Sequence, residues 1–276
     1  MGKRLLLRIM MKWLLYITLS IICLASCKSE FERARTSNDP KLIYAAADTL
    51  VARGDYNRAI LLYELVIPAY RGKIEAENLN YKFADTHFKN RNYVLSSHYF
   101  KTFADTYTTS PQREEAMYLS ALSEYYQAPR YKLEQSNSSA AIDAFQLFAN
   151  TFPESDRVEE VNDYVDELRK KQEKKAFEAG KLYYNLKNYN SAIQTLENML
   201  KDYPGSSYTE EAQYLIAKAY YEWASRSIYA RQAERFSEGI TNCDLFIKRY
   251  PESGYVPEVT EFKNKCREAL NELENG

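Results

Sequence analysis

A short stretch that occurs four times constrains the fold of this chain more than any other feature. It reads DYPGSSYTEEA at residues 202–212, and related copies occupy 106–116, 151–161 and 249–259. Each copy has an aromatic residue, a serine three positions later, and then a glutamate followed by a small apolar residue. Proline stops a helix and serine caps the next one, so each copy predicts a helix end, a tight joint and a new helix. A joint that recurs indicates a repeated structural unit.

The segments between the joints predict pairs of helices. GDYNRA at 54–59 and KNYNSA at 187–192 each lie between two stretches whose apolar residues have helical spacing. A set of aromatic, small and apolar residues follows Gly180 at spacings that resemble those of the tetratricopeptide repeat. These residues are Tyr183, Tyr189, Ala192, Leu196 and Pro204. The sequence therefore predicts an all-α tetratricopeptide-repeat solenoid of about five helix-turn-helix units.

Two units fit the repeat only with insertions, near residues 127–138 and 226–236, and we expect these to lengthen the connection between paired helices. The spacing from Ser155 to Gly180 is also longer than the matching spacing elsewhere, by about four helical turns. Whole added turns preserve a buried face, so residues 156–186 are predicted to form one long central helix.

The N-terminus has the pattern of a lipoprotein signal peptide. Basic residues precede an apolar run that is too short to span a bilayer comfortably, and the run ends in Leu-Ala-Ser-Cys at 24–27. This ending resembles the bacterial lipobox, in which cleavage precedes the cysteine and the thiol becomes lipidated. We expect 1–26 to be the signal peptide, Cys27 to be the lipidation site and 27–40 to be a linker that joins the lipid anchor to the repeats. The alternative is an ordinary signal peptide followed by a chance cysteine.

Charge and composition argue against several classes of function. The signal segment holds four of the 37 basic residues and no acidic one, which leaves 33 against 38 and disfavours nucleic acid as a partner. The chain has two histidines, His87 and His98, and none of the common catalytic, metal or phosphate-binding motifs. We therefore expect that the protein is not an enzyme and that it binds no cofactor and no metal ion. Cys243 and Cys266 are nearly level across a predicted helix pair, which leaves open a disulfide or two buried free thiols.

Aromatic residues recur on the first helix of each pair. Each of these helices has a small residue where it touches its partner helix. Aromatic residues recur three positions before this small residue and four positions after it, and these two positions share one helix face. In the N-terminal units this aromatic row consists of Tyr44, Tyr81, Phe88, Tyr118 and Tyr125. Such a face lines the concave side of helical solenoids, where extended peptides bind. Aromatic residues at these positions are also ordinary packing residues, so a peptide groove and generic packing both remain open.

The order of these features resembles the BamD family of outer-membrane assembly lipoproteins: a lipobox, five units, an insertion in the third unit, the long helix, and LENMLKDYPGSSYTEEA at 196–212. The resemblance implies a non-catalytic protein anchored by lipid to the outer membrane, on its periplasmic face. It implies as partners the periplasmic domains of the BamA insertase, other subunits of the assembly machinery, and unfolded outer-membrane proteins. The implied division is 41–155 for the peptide-binding repeats, and 156–272 for the long helix, repeats 4–5 and a final helix that dock on the insertase. A different envelope scaffold, related to peptidoglycan or division, is the alternative.

Overall fold

The structure is a computed structural model, and it describes residues 30–275. Every regular element in this range is an α-helix. The helices are α1 Glu30–Arg35, α2 Pro40–Ala52, α3 Tyr56–Tyr70, α4 Glu75–Lys89, α5 Tyr93–Thr106, α6 Arg113–Gln127, α7 Ser136–Thr151, α8 Val158–Asn185, α9 Tyr189–Asp202, α10 Thr209–Ser225, α11 Tyr229–Arg249 and α12 Val256–Asn275.

Short connections join most helices to the next one, and consecutive helices within a unit pack as antiparallel pairs. The predicted fold class, a solenoid of helical repeats of the tetratricopeptide kind, is confirmed. None of the helices in the described range is long and apolar enough to cross a membrane.

The four joints have the same geometry. In each one the serine hydroxyl accepts a hydrogen bond from the backbone N–H two residues on, at 3.1 to 3.2 Å. The serine carbonyl accepts from the third residue on, at 3.1 to 3.2 Å, and the next helix begins there. Each serine therefore caps the tight turn that precedes the helix, whereas the helix N-cap position itself is occupied by Arg157 in α8 and by Tyr208 in α10.

The chain divides into two compact units, and the boundary lies between Gln127 and Ala128. The functional division predicted from sequence, at 155/156, stays a prediction, and α7 lies in the second compact unit. Within the second unit α7 packs along α8.

Each unit has its own apolar core. In the first, α1 to α4 bury one continuous cluster that includes Leu62, Tyr63, Leu79 and Phe83. In the second, the cluster spans α8 to α12 and includes Phe177, which is 1% exposed. Small residues let helices approach closely: a Cβ at Gly180 would lie 2.5 Å from two side-chain carbons of Leu196.

Three segments refine the expectations from sequence. The long central helix is confirmed as α8. The expected linker contains the short helix α1, whose Ala34 is fully buried against the first core. The second insertion was expected to lengthen a connection, and this was wrong: it extends α11, which is 21 residues long and starts at Tyr229. An insertion of about three turns adds to a helix without rotating its buried face.

Candidate functional site

Tyr44 begins the aromatic row on α2. Its ring meets two aromatic rings of α3 edge to face, with centroids 6.1 Å from Tyr63 and 5.7 Å from Tyr70. Its hydroxyl accepts a hydrogen bond from Asn78 Nδ2 of α4 at 3.2 Å. The ring therefore packs within its own helix pair while its polar end reaches the next pair. It is half-buried, and burial raises its pKa above the ordinary value.

A charged contact next to Tyr44 joins the first helices of two repeats. Asp48 accepts hydrogen bonds from Tyr63 Oη at 2.6 Å and from Lys82 Nζ at 2.9 Å. Burial lowers the pKa of Lys82, but the hydrogen bond and charge of Asp48 outweigh burial, and the pKa is raised. The Lys82 ammonium also lies 5.1 Å from the centre of the Tyr44 ring. These charges link α2 to α4 beside the rings, and the hydrogen-bonding capacity of Asp48 and Lys82 is met within the protein.

Tyr81 and Tyr118 differ in exposure. Tyr81 is half-buried and packs edge to face on two α5 rings, Phe100 at 5.5 Å and Phe103 at 5.4 Å. Tyr118 is only 6% exposed, so its ring belongs to the packed interior of α6. A helix face predicted from spacing includes both positions, but spacing does not reveal how deeply each ring is covered. We therefore leave Tyr118 out of the surface available to a ligand.

Phe88 and Tyr125 lie in an aromatic cluster that includes two residues the sequence analysis missed. Phe88 is 5.7 Å from Tyr93 and 6.1 Å from Tyr126, and Tyr93 and Tyr126 are 4.8 Å apart. Tyr125 adjoins Tyr126 with ring centroids 5.8 Å apart. Tyr126 is 49% exposed, more than any member of the predicted row. The adjacent tyrosines in SEYYQ were the signal that could have identified it. We call Phe88, Tyr93, Tyr125 and Tyr126 the aromatic cluster.

The second unit has a comparable pattern of aromatic and charged side chains on the first helices of its repeats. Lys218 Nζ donates to Tyr214 Oη and to Glu258 Oε1, both at 3.0 Å. Burial lowers the pKa of Lys218, but its bonds to Tyr214 and Glu258 outweigh burial, so the pKa is raised. Lys181 of α8 pairs with Glu211 of α10 at 2.8 Å. Successive first helices are thus linked by a lysine and a carboxylate here as well.

The cysteines and histidines occupy separate places. Cys243 and Cys266 are both buried and free, so of the two alternatives the structure has the thiols. Burial raises the pKa of each thiol to about 12. His87 is 2% exposed, and neither of its ring nitrogens has a hydrogen-bond partner. Within residues 30–275 no cluster of histidine, cysteine and carboxylate side chains is arranged to hold a metal. Cys27 and the expected signal peptide lie outside the described residues.

Two kinds of sequence comparison match most of the chain. The model of the YfiO family, described as outer membrane lipoprotein, matches residues 36–172 and 169–242. Outer membrane protein assembly factor BamD of Haemophilus influenzae is 21% identical over 217 residues, covering 75% of this chain and 81% of that protein. Its counterpart in Pasteurella multocida is 20% identical over 228 residues, with 79% and 87% covered.

Comparison of structures finds other helical proteins at low similarity. The crystal structure of MamA protein has a TM-score of 0.32 and 18% identity, covering 78% of this chain and 95% of that one. The TPR domain of P58(IPK) has a TM-score of 0.39 and 14% identity, with 86% and 65% covered.

Proposed function

Because this chain belongs to the YfiO family of outer-membrane lipoproteins, we propose that it is a subunit of the machinery that inserts β-barrel proteins into the outer membrane. In this role it scaffolds the BamA insertase and recognises unfolded outer-membrane proteins. The observation that carries the proposal is that the family match runs from residue 36 to 242 and so includes most of both units. The similarity to the two relatives named BamD covers 75% and 79% of the chain.

We infer that the protein is held on the periplasmic face of the outer membrane by lipid on Cys27. Acyl chains contribute about 0.8 kcal/mol per buried methylene, so two or more chains give stable anchoring without a spanning helix. The absence of a spanning helix among the described residues is compatible with such an anchor.

We infer that unfolded outer-membrane proteins bind the first unit along Tyr44, Tyr81 and the aromatic cluster. Strands of β-barrels alternate apolar and polar residues and are rich in aromatic residues at their ends. Such side chains can pack on half-buried rings, and each aromatic pair contributes about 0.5–1.5 kcal/mol beyond the burial of area. The nearby charges of Asp48 and Lys82 already satisfy each other, which favours recognition through the rings.

Peptide binding tests this surface. Phe88→Ala combined with Tyr126→Ala removes two rings that touch each other, and it should weaken the binding of C-terminal strand peptides at least tenfold, about 1.4 kcal/mol. Leu65→Ala is the control, because Leu65 is 48% exposed on α3, outside the proposed surface. Circular dichroism must show that all variants remain folded. Unchanged affinity in the folded double variant would exclude this surface.

We infer that the insertase docks on the second unit, along α8 and the inserted segment 128–135. This segment is held against α8 by specific contacts. Lys174 Nζ lies 4.6 Å from the Tyr131 ring centre, and Lys175 pairs with Glu134 at 3.5 Å. Lys132 and Lys170 remain exposed beside these contacts. The result is an ordered basic surface, which suits an acidic patch on a partner.

Co-purification tests the assembly function and this docking surface. The tagged full-length protein should bring down a barrel insertase from solubilised membranes. Recovery of peptidoglycan or division proteins without an insertase would support the alternative function, a different envelope scaffold. Lys132→Glu with Lys170→Glu should greatly reduce recovery of the insertase. Lys248→Glu, at an exposed position of α11 in the same unit, should leave recovery unchanged.

A further inference from the structure

Five large apolar side chains are exposed near the ends of α8 and α10 in the second unit. Their exposed fractions are 58% for Leu182, 40% for Tyr183, 65% for Leu186, 73% for Ile228 and 68% for Tyr229. We call these five residues the turn edge. Because α9 reverses the chain direction, α8 and α10 run the same way and end on the same side of the unit.

Contacts between the two turns show that they are adjacent. Tyr189, at the start of α9, has its hydroxyl 3.5 Å from Glu222 Oε2 of α10. The guanidinium of Arg226, which follows α10, lies 5.6 Å from the centre of the Tyr189 ring. The two turns therefore lie on the same side of the unit as neighbouring tips, and each tip carries exposed apolar residues.

The fold does not require apolar residues at this turn. The same turn, with a positive φ at one residue, occurs at three helix pairs: Gly54 at 77°, Arg91 at 57° and Lys187 at 60°. The residue directly before it is Arg53 or Asn90 in the first unit, but Leu186 in the second. Because polar residues occupy the same position in the other two turns, the turn conformation does not require an apolar side chain at Leu186. Exposed apolar side chains grouped in this way mark an interaction surface.

The turn edge lies in a locally basic region. Residues 181–189 and 222–235 contain five basic residues and two acidic ones, in a chain whose formal net charge is −1. Both acidic residues are paired with arginines: Glu222 with Arg226, and Glu234 with Arg231, each at 2.9 Å. Lys181 is paired with Glu211 outside these ranges, so the net charge close to the apolar side chains is about +2, which suits an anionic surface.

The backbone of the first turn is already satisfied. The amide of Leu186 donates to Leu182 O at 3.0 Å, that of Lys187 to Tyr184 O at 2.8 Å, and that of Asn188 to Tyr183 O at 3.0 Å. A turn whose N–H groups are bonded internally can leave water at little cost, whereas an unsatisfied amide in hydrocarbon costs several kcal/mol.

We propose that the turn edge inserts into the interfacial layer of a bilayer that contains anionic phospholipid. Leucine and isoleucine enter the acyl boundary, tyrosines lie at the level of the headgroups, and the lysine and arginines face the phosphates. Two neighbouring turn tips fit a soft planar surface well, whereas a stable protein interface needs about 1,000 Å² or more of matched area. This contact is separate from the anchor on Cys27, and it lies at the C-terminal end of α8, beyond the lysines at 170–175 that form the proposed insertase surface.

Depth-dependent fluorescence quenching tests the proposal. The full-length protein is reconstituted into vesicles of phosphatidylcholine with or without phosphatidylglycerol, with lipids brominated in their acyl chains. A polarity-sensitive maleimide dye is placed at Leu186→Cys or Ile228→Cys. In the processed lipoprotein Cys23 is removed with the signal peptide and Cys27 carries the lipid. Cys243 and Cys266 are buried and have a raised pKa, so labelling at neutral pH is selective. The control site is Lys201→Cys, exposed at the other end of α9, about 18 Å along the helix.

We expect bromine to quench the dye at 186 and 228 by about half, but only with phosphatidylglycerol present, as for a group about 5–10 Å deep. The dye at 201 should not be quenched. Adding Lys187→Glu and Arg231→Glu should abolish quenching at 228. Equal quenching at all three sites, or none, would overturn the proposal. A dye at 186 that shifts only when other envelope proteins are added would overturn it in favour of a protein partner. Because the vesicles contain no partner proteins, failure here is independent of the co-purification test.

Discussion

Close packing of α8 on α9 predicts a strong energetic coupling between Gly180 and Leu196. A Cβ at Gly180 would lie 2.5 Å from Leu196 Cγ and Cδ2, whereas carbon atoms in ordinary contact are about 3.5–4.0 Å apart. Leu196 is fully buried, so it has little room to move. Gly180→Ala should therefore incur an overpacking cost of about 2 kcal/mol. Alanine's better helix propensity returns about 1 kcal/mol, and the net loss of stability is about 1 kcal/mol.

The same substitution should change sign when Leu196 is truncated. In a Leu196→Ala background the clash disappears, and Gly180→Ala should stabilise by about 1 kcal/mol through helix propensity. The coupling energy of the double-mutant cycle is then about 2 kcal/mol. Leu196→Ala alone should cost about 2–5 kcal/mol. Gly254→Ala is the control, because a Cβ there meets nothing within 4 Å.

Urea unfolding followed by tryptophan fluorescence measures this cycle in the relevant unit. Trp223 lies in α10, close to the core that contains Leu196. The only other tryptophan is Trp13, in the expected signal peptide. If Gly180→Ala has the same effect with and without the Leu196 side chain, within about 0.5 kcal/mol, the close approach of α8 and α9 is refuted.

Three further predictions concern titration, anchoring and thiols. Burial lowers the pKa of His87, so below about pH 6.5 the unfolded chain binds a proton that the folded chain does not, and stability falls as the pH drops. His87→Leu should flatten the decline of the urea midpoint towards acid pH. Cys27→Ser should abolish acylation and leave precursor or protein that a high-salt wash releases from membranes; a processed variant that stays bound would contradict the lipobox. Cys243 and Cys266 should both react with maleimide only after unfolding, and a native mass lower by two hydrogens would indicate a disulfide instead.

The repeated joints were predictable because their chemistry is local. How one helix ends and the next begins is determined by a few neighbouring residues: an aromatic residue, a proline and a serine. The Ser206 hydroxyl, for example, accepts a hydrogen bond from the backbone N–H of Tyr208, only two residues away. The long helix was predictable for a similar reason, since whole added turns preserve the periodicity that defines a buried face. The second insertion could not be assigned in this way, because the same number of residues can lengthen a helix or a loop.

The exposure of individual aromatic residues was not predictable, because it depends on neighbours that are distant in sequence. Tyr118 and Tyr126 lie on the same helix, yet one is 6% and the other 49% exposed. Periodicity placed Tyr118 on the candidate surface and passed over Tyr126, since it reports the direction of a side chain and not the depth of the layer above it. The aromatic cluster depends on the packing of α5 against α6, which places the rings of Tyr93 and Tyr126 4.8 Å apart.

The lysine–carboxylate pairs between first helices bear on how a polypeptide is recognised. Asp48–Lys82 in the first unit, and Lys181–Glu211 in the second, are about one-third or more exposed at both partners, so each contributes little to stability and the cores hold the helices together. Their consequence is for binding: a ligand that seeks these charges must compete with a partner already within 3 Å. The Tyr44 ring beside the first pair packs on Tyr63 and Tyr70 and remains partly exposed. Recognition on these faces is therefore expected to follow the apolar and aromatic pattern of an unfolded strand rather than its charge, and changing the ligand's ring residues should weaken binding more than changing its charged ones.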